Sequence, residues 1–138
     1  MRLTNKGEYG VRAVVYLAAE EHGLPVPVSQ IARAESVSPE FLEQIFFRLK
    51  KTGLIRSVRG PRGGFLLGKD PAAITIKSIL DAVGEPLYPV PCTNHAVGCE
   101  RGSVCSMTGV WHGFYELMRD HLSGITVADV VARGASRS

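Results

Sequence analysis

All three cysteines of the chain fall within C-T-N-H-A-V-G-C-E-R-G-S-V-C, the stretch from Cys92 to Cys105. Thiolates grouped this closely bind soft metals or take part in redox exchange. An odd set in so short a span argues for such chemistry over a disulfide framework. Iron–sulfur clusters usually take four thiolate ligands, with His replacing Cys in some sites. Zinc has the same arithmetic in a Cys₃His site, although its ligands commonly come as closely spaced cysteine pairs. The gaps here, six and five residues, suit wrapping a larger object. From these residues alone, cluster, zinc site and thiol switch all stay open. Each metal site also leaves one position to fill, for which the candidates are Glu8, His95 and His112. His95 lies inside the loop, where an exposed turn residue is the ordinary role. His112 lies on a helix, off its apolar stripe. Glu8 follows Asn5 by three residues, the spacing of a capping box in which Asn5 is the N-cap.

A second concentration of chemistry is electrostatic. Between Ile45 and Lys69 stand Arg48, Lys50, Lys51, Arg56, Arg59, Arg62 and Lys69, with no acidic residue among them. The remainder of the chain holds nine Lys and Arg against thirteen Asp and Glu, a balance of −4, so the overall +3 conceals a local positive field. Such a field attracts polyanions.

The elements that must position these groups follow from periodicity and punctuation. A length of 138 residues suits one domain with an added arm. No apolar run is long enough to span a bilayer, and M-R-L-T-N-K-G lacks the apolar core of a secretory signal, so a cytoplasmic protein is expected. Asn5 to about Glu21 reads as a helix closed by G-L-P-V-P, and Ser29–Ala34 as a short one. After the turn E-S-V-S, Ser38 caps a helix with Pro39 at its first position. Its apolar residues Leu42, Ile45, Phe46 and Leu49 keep helical spacing. Gly53 stops it. Leu54–Val58 and Phe65–Leu67 read as strands joined by a turn rich in Gly and Pro. Thr75 caps a helix through Val83. The cysteine segment is a loop, followed by a helix whose stripe is Met107, Val110, Trp111, Phe114, Leu117, Met118, His121 and Leu122. Thr126 starts a last short helix, and G-A-S-R-S reads as a frayed tail.

Short helix, turn, second helix and a hairpin with a basic tip is the order of a winged helix-turn-helix. The expected fold class is mainly α with a small β-hairpin wing, plus a long C-terminal dimerisation helix. Residues 1–84 form the DNA-binding domain, 85–106 the cysteine-containing loop, and 107–138 the dimerisation helix and tail. In such motifs the second helix enters the major groove and its N-terminal residues meet base edges. Those residues are Ser38, Glu40, Glu43 and Gln44; a carboxylate accepts from cytosine N4 and Gln pairs with adenine. Arg48, Lys50 and Lys51 would neutralise phosphates without reading sequence. Arg59 and Arg62, on a turn kept slim by Gly60, Gly63 and Gly64, suit a narrow minor groove. The G-P-R-G-G turn lacks the Lys-Ser/Thr of a nucleotide-binding P-loop. No nucleophile–base constellation points to an enzyme. The apolar stripe after the cysteines is more than a monomer leaves open, and Gly109 with Gly113 permits close approach, so a dimer seam is expected.

M-R-L-T-N-K-G, V-S-P-E-F-L-E-Q-I-F-F-R-L-K-K-T-G-L-I, the wing S-V-R-G-P-R-G-G-F-L-L-G-K and three cysteines before an aromatic helix resemble one family. It is that of the winged-helix regulators of the IscR and NsrR type, which sense with iron–sulfur clusters. The resemblance covers nearly the whole chain. It implies a homodimer on double-stranded operator DNA, recognition by Glu43 and Gln44, and a wing arginine at Arg59. It also implies a 2Fe–2S or 4Fe–4S cluster on Cys92, Cys99 and Cys105. Relatives of the IscR type carry His three positions after the last cysteine, where this chain has Thr108. NsrR-like relatives carry an acidic ligand in the first helix, donated by the partner subunit, which favours Glu8. A cluster-free thiol- or zinc-dependent regulator of the same fold is the alternative.

Overall fold

The computed structural model describes residues 3–20, 23–85, 87, 88 and 106–137. The first helix, α1 (Asn5–Ala19), begins one residue earlier than the capping reading requires. Its N-cap is Thr4, whose side chain accepts from the Gly7 N–H at 3.4 Å. The third helical position, where a capping box places its carboxylate, therefore falls on Gly7, and Asn5 and Glu8 form no box. A carboxylate reaches the spot from elsewhere. Glu85, 6% exposed, accepts from the Thr4 backbone N–H at 3.0 Å and from the Thr4 hydroxyl. A Cβ on residue 7 would stand 2.4 Å from Glu85 Oε2, so glycine is what lets that carboxylate in.

Next come α2 (Val28–Glu35) and α3 (Pro39–Lys51). The turn between them passes through Ser36 at φ 57°, a left-handed conformation that non-glycine residues adopt at some cost. Ser38 caps α3 by accepting from the Phe41 N–H at 3.1 Å, with Pro39 opening the helix. Leu42, Ile45, Phe46 and Leu49 are all buried, as their spacing predicts. Gly53, at φ 80°, follows the helix end.

Strands β1 (Ile55–Val58) and β2 (Gly64–Leu67) pair antiparallel, Ile55 opposite Leu67 and Val58 opposite Gly64. The turn end of this hairpin is held by a feature absent from the sequence reading. Val26 bridges to Phe65 through reciprocal backbone bonds of 2.9 and 2.8 Å. A Cβ on Gly64 would lie 2.4 Å from the Val26 carbonyl, and one on Gly63 2.2 Å from Val58 O. Gly64 thus allows close approach of the Val26 backbone at the turn end of the wing, while Gly63 packs within the turn itself, where Gly60 stands at φ 115°.

A 3₁₀ turn at Pro71–Ala73 leads to α4 (Ile76–Ala82), capped by Thr75. Beyond the cysteine segment run α5 (Thr108–Ser123) and α6 (Val127–Arg137). The last helix continues through residues expected to fray. It packs on α1 and the 3₁₀ turn, with Val127 fully buried and donating its N–H to Ile74 O at 2.8 Å. By contrast α5 has no buried residue and packs mainly on α4.

Candidate nucleic-acid interface and cluster ligands

The core face of α3 fixes which residues point outward. With Leu42, Ile45, Phe46 and Leu49 inward, Glu40, Glu43, Gln44, Phe47, Arg48 and Lys51 line one open groove along the opposite side. Lys50 turns toward the wing beside Phe65. Ser38, Glu40, Glu43, Gln44, Arg48, Lys50, Lys51, Arg59 and Arg62 are all exposed. Arg56 and Lys69 are exposed too, and none of the seven cations of this region is in an ion pair among the described residues. That is unusual in a chain that pairs Arg12, Lys77 and Arg119 with carboxylates. Unneutralised charge on a helix and an adjacent hairpin leaves both able to release counterions from a phosphate backbone. The turn that carries Arg59 and Arg62 is closed by the Gly63 N–H donating to Gly60 O at 2.9 Å.

The ligand candidates divide between described and undescribed residues. Cys92, Cys99, Cys105 and His95 lie outside the described residues. Glu8 is near the start of α1, its side chain 53% exposed. Among the described residues its ion pair is with Arg12 at 3.8 Å, and Arg12 also reaches Glu35 at 3.4 Å. An exposed pair of this length holds its members weakly. With the capping box gone, nothing structural requires Glu8 to keep its present partner. His112 is partly buried on α5 and makes an interaction of its own. Thr108, three positions after Cys105, has a buried hydroxyl oxygen with no hydrogen-bond partner among the described residues. Among the described residues no three His, Cys, Asp or Glu side chains gather into a metal site. The donor set nonetheless fits a cluster or a zinc ion: three thiols close in sequence and one available carboxylate.

Two residues escaped the sequence reading. Glu85 gives no local sign of its role, since its partner Thr4 is 81 positions away. Just beyond it, Leu87 is buried and Tyr88 stacks on Tyr115 of α5, ring centroids 5.5 Å apart. The chain entering the cysteine segment is thus fastened to α1 and α5 within four residues. The second is Phe47, which adjoins the core residue Phe46 in sequence and is 60% exposed.

A helix-turn-helix followed by a basic two-stranded wing defines a winged-helix DNA-binding regulator. The chain belongs to the Rrf2 family, described as iron-dependent transcriptional regulators, whose model matches residues 3–133. It is 41% identical over 131 residues to the HTH-type transcriptional regulator IscR of Erwinia tasmaniensis, covering 95% of this chain and 79% of that one. Among solved structures it is similar to CymR, the global cysteine regulator of B. subtilis, with TM-score 0.83 and 26% identity over 96% of this chain and 98% of that one. It is also similar to T. potens IscR, with TM-score 0.80 and 29% identity over 97% and 88%. The family is one of transcriptional regulators and not of enzymes. No helix among the described residues is long and apolar enough to cross a membrane.

Proposed function

We propose that the chain is a homodimeric, operator-specific regulator whose DNA affinity is set by an iron–sulfur cluster held by Cys92, Cys99, Cys105 and the partner subunit's Glu8. The observation that carries this reading is the donor set. Three thiols stand in fourteen positions, and the one carboxylate that relatives lead one to expect is exposed and weakly held. When bound, such a group would supply a centre sensitive to redox state, nitric oxide or iron and iron–sulfur status.

The protein's own residues do the rest. Residues 1–84 read DNA: Glu43 and Gln44 address base edges, Arg48, Lys50 and Lys51 address phosphates, and the wing sets Arg59 and Arg62 over the minor groove. Residues 85–106 carry the cysteines. Residues 107–138 bring two copies together. Support for the last point comes from α5 and its N-cap, where Met107, Val110, Phe114 and Leu117 are 41%, 55%, 43% and 71% exposed. Their 3-4-3 spacing is that of a coiled-coil seam, and a Cβ on Gly109 or Gly113 would meet nothing within 4 Å. Ligation of one subunit's loop to the other's first helix would fix the spacing of the two recognition helices. Half-sites one helical turn apart demand such a fixed spacing. A coupling of about 1–3 kcal/mol, roughly 5–150-fold in affinity, suffices for a switch.

The likeness to a cysteine regulator favours one second reading, a cluster-free thiol- or zinc-dependent regulator on the same fold. One experiment separates them. Protein purified anaerobically should be coloured and hold iron and sulfide. Cys92→Ala, Cys99→Ala or Cys105→Ala should each bleach it, and Glu8→Gln should leave a cluster more labile to oxygen and chelators. Colourless protein with stoichiometric zinc would sink the cluster reading. An unchanged Glu8→Gln spectrum would return the fourth position to His95, His112 or solvent.

A further inference from the structure

Phe47 is an aromatic side chain in a polar stripe. Its neighbours on that face of α3 are Glu43, Gln44, Arg48 and Lys51, and the Lys51 ammonium stands 4.5 Å from its ring centroid. A lone exposed apolar residue ordinarily needs no account. This one occupies the middle of the outward face of the helix whose cations are without ion pairs among the described residues, and it is 60% exposed there. In the major groove a base pair presents one apolar group, the 5-methyl of thymine, and Phe is among the side chains that meet it. The cation–π contact favours a ring held beside a charge that can reach phosphate.

We infer that Phe47 is a specificity-determining residue that packs on a thymine methyl in the operator. The inference rests on α3 being the recognition helix. Phe47 follows Glu43 by four residues, about 6 Å along the helix axis at roughly 1.5 Å per residue. That is about two base-pair steps of roughly 3.4 Å. The thymine is therefore expected about two base pairs from the pair that Glu43 reads. The neighbouring Glu40, Glu43 and Gln44 are polar and offer hydrogen bonds, so the face suits a base-pair edge better than an apolar protein partner.

The test uses the full chain, anaerobic and air-exposed, to select duplexes from a random library. Each thymine of the selected duplex is then replaced singly by deoxyuridine, which pairs identically and lacks only the methyl. One position per half-site should bind the wild type about fourfold more weakly, the transfer worth of one buried methylene. Phe47→Ala should bind the thymine and deoxyuridine duplexes alike, whereas Phe47→Leu should retain a penalty. The exposure of the ring means that both variants should keep the wild-type melting temperature. If no substitution weakens the wild type, or if Phe47→Ala keeps the full penalty, the inference is overturned while the DNA reading stands. If neither form of the protein enriches any sequence, the DNA reading fails and takes this inference with it.

Discussion

Two helices of this protein start with the same pair of bonds and draw them from different places. At α6, Thr126 Oγ1 accepts from the Asp129 N–H at 3.1 Å, and Asp129 accepts in return from the Thr126 N–H at 2.9 Å. At α1, Thr4 Oγ1 accepts from the Gly7 N–H, and the returning carboxylate is Glu85. The first box is local and exposed; the second joins residues 81 positions apart, with its carboxylate buried. A local box decides only where one helix begins. A distant one also fastens whatever follows its carboxylate, which here is the chain leading to Cys92. The same hydrogen bonds thus serve as helix punctuation at one end of the molecule and as a tie between two functional segments at the other.

The largest expected effect separates these roles. Glu85→Ala removes the buried carboxylate that accepts from the Thr4 N–H and hydroxyl and should cost about 1.5–3 kcal/mol of stability, the range for hydrogen bonds to charged groups. Asp129→Ala should cost distinctly less. Denaturant unfolding of the two variants checks the order. If Glu85 is the tie, its loss should also shorten the lifetime of the proposed cluster under a chelator, an effect that Asp129→Ala should lack. Equal stability losses with equal cluster lifetimes would reduce Glu85 to an ordinary cap.

A cycle at Gly7 sharpens the point with a smaller effect. Alanine at position 7 would place its Cβ 2.4 Å from Glu85 Oε2 and 2.8 Å from Glu85 Cδ. Overpacking of this kind costs roughly 1–3 kcal/mol, against about 1 kcal/mol gained by replacing glycine inside a helix. Gly7→Ala alone should therefore be neutral to destabilising. In a Glu85→Ala background the clash is gone, and the same change should stabilise by about 1 kcal/mol. Additive single effects would show that Gly7 and Glu85 do not share their space.

The same comparison explains what the sequence disclosed. Ser38, Pro39 and the spacing of Leu42, Ile45, Phe46 and Leu49 announced α3 because a cap, a first-turn proline and a buried face are all local. The Thr75 cap and the two strands of the wing were legible for the same reason. The cap of α1 was assigned to Asn5 because a local rule was applied where the carboxylate is remote, and only the glycine at position 7 hinted at the vacancy. Of the wing glycines only Gly64 serves more than the turn, and it does so unseen in the sequence because the Val26 backbone that presses on it belongs to another part of the chain. Phe47 was passed over since burial, and not residue type, separates it from Phe46. Residues whose roles depend on partners distant in sequence are the ones that pattern reading cannot see.

The smallest effect is a pH dependence confined to the local box. The Asp129 carboxyl is held below the usual Asp value chiefly by the Thr126 backbone N–H it accepts from, then by the Thr126 hydroxyl, with Arg133 adding attraction. A carboxyl whose folded value is depressed contributes stability that is fully present above its unfolded value, about 3.9 for Asp, and lost as pH falls through the folded one. The box should thus hold unchanged through neutral and mildly acid pH and weaken only below the ordinary Asp range. Asp129→Asn keeps a side-chain acceptor and cannot titrate. The stability difference between wild type and this variant should be flat from pH 7 to about 5 and shrink toward pH 3. Every other titrating group is common to both proteins and cancels in that difference. A gap that stayed constant down to pH 3 would mean that Asp129 contributes through its shape alone, and that the charge on α6 does nothing for the helix.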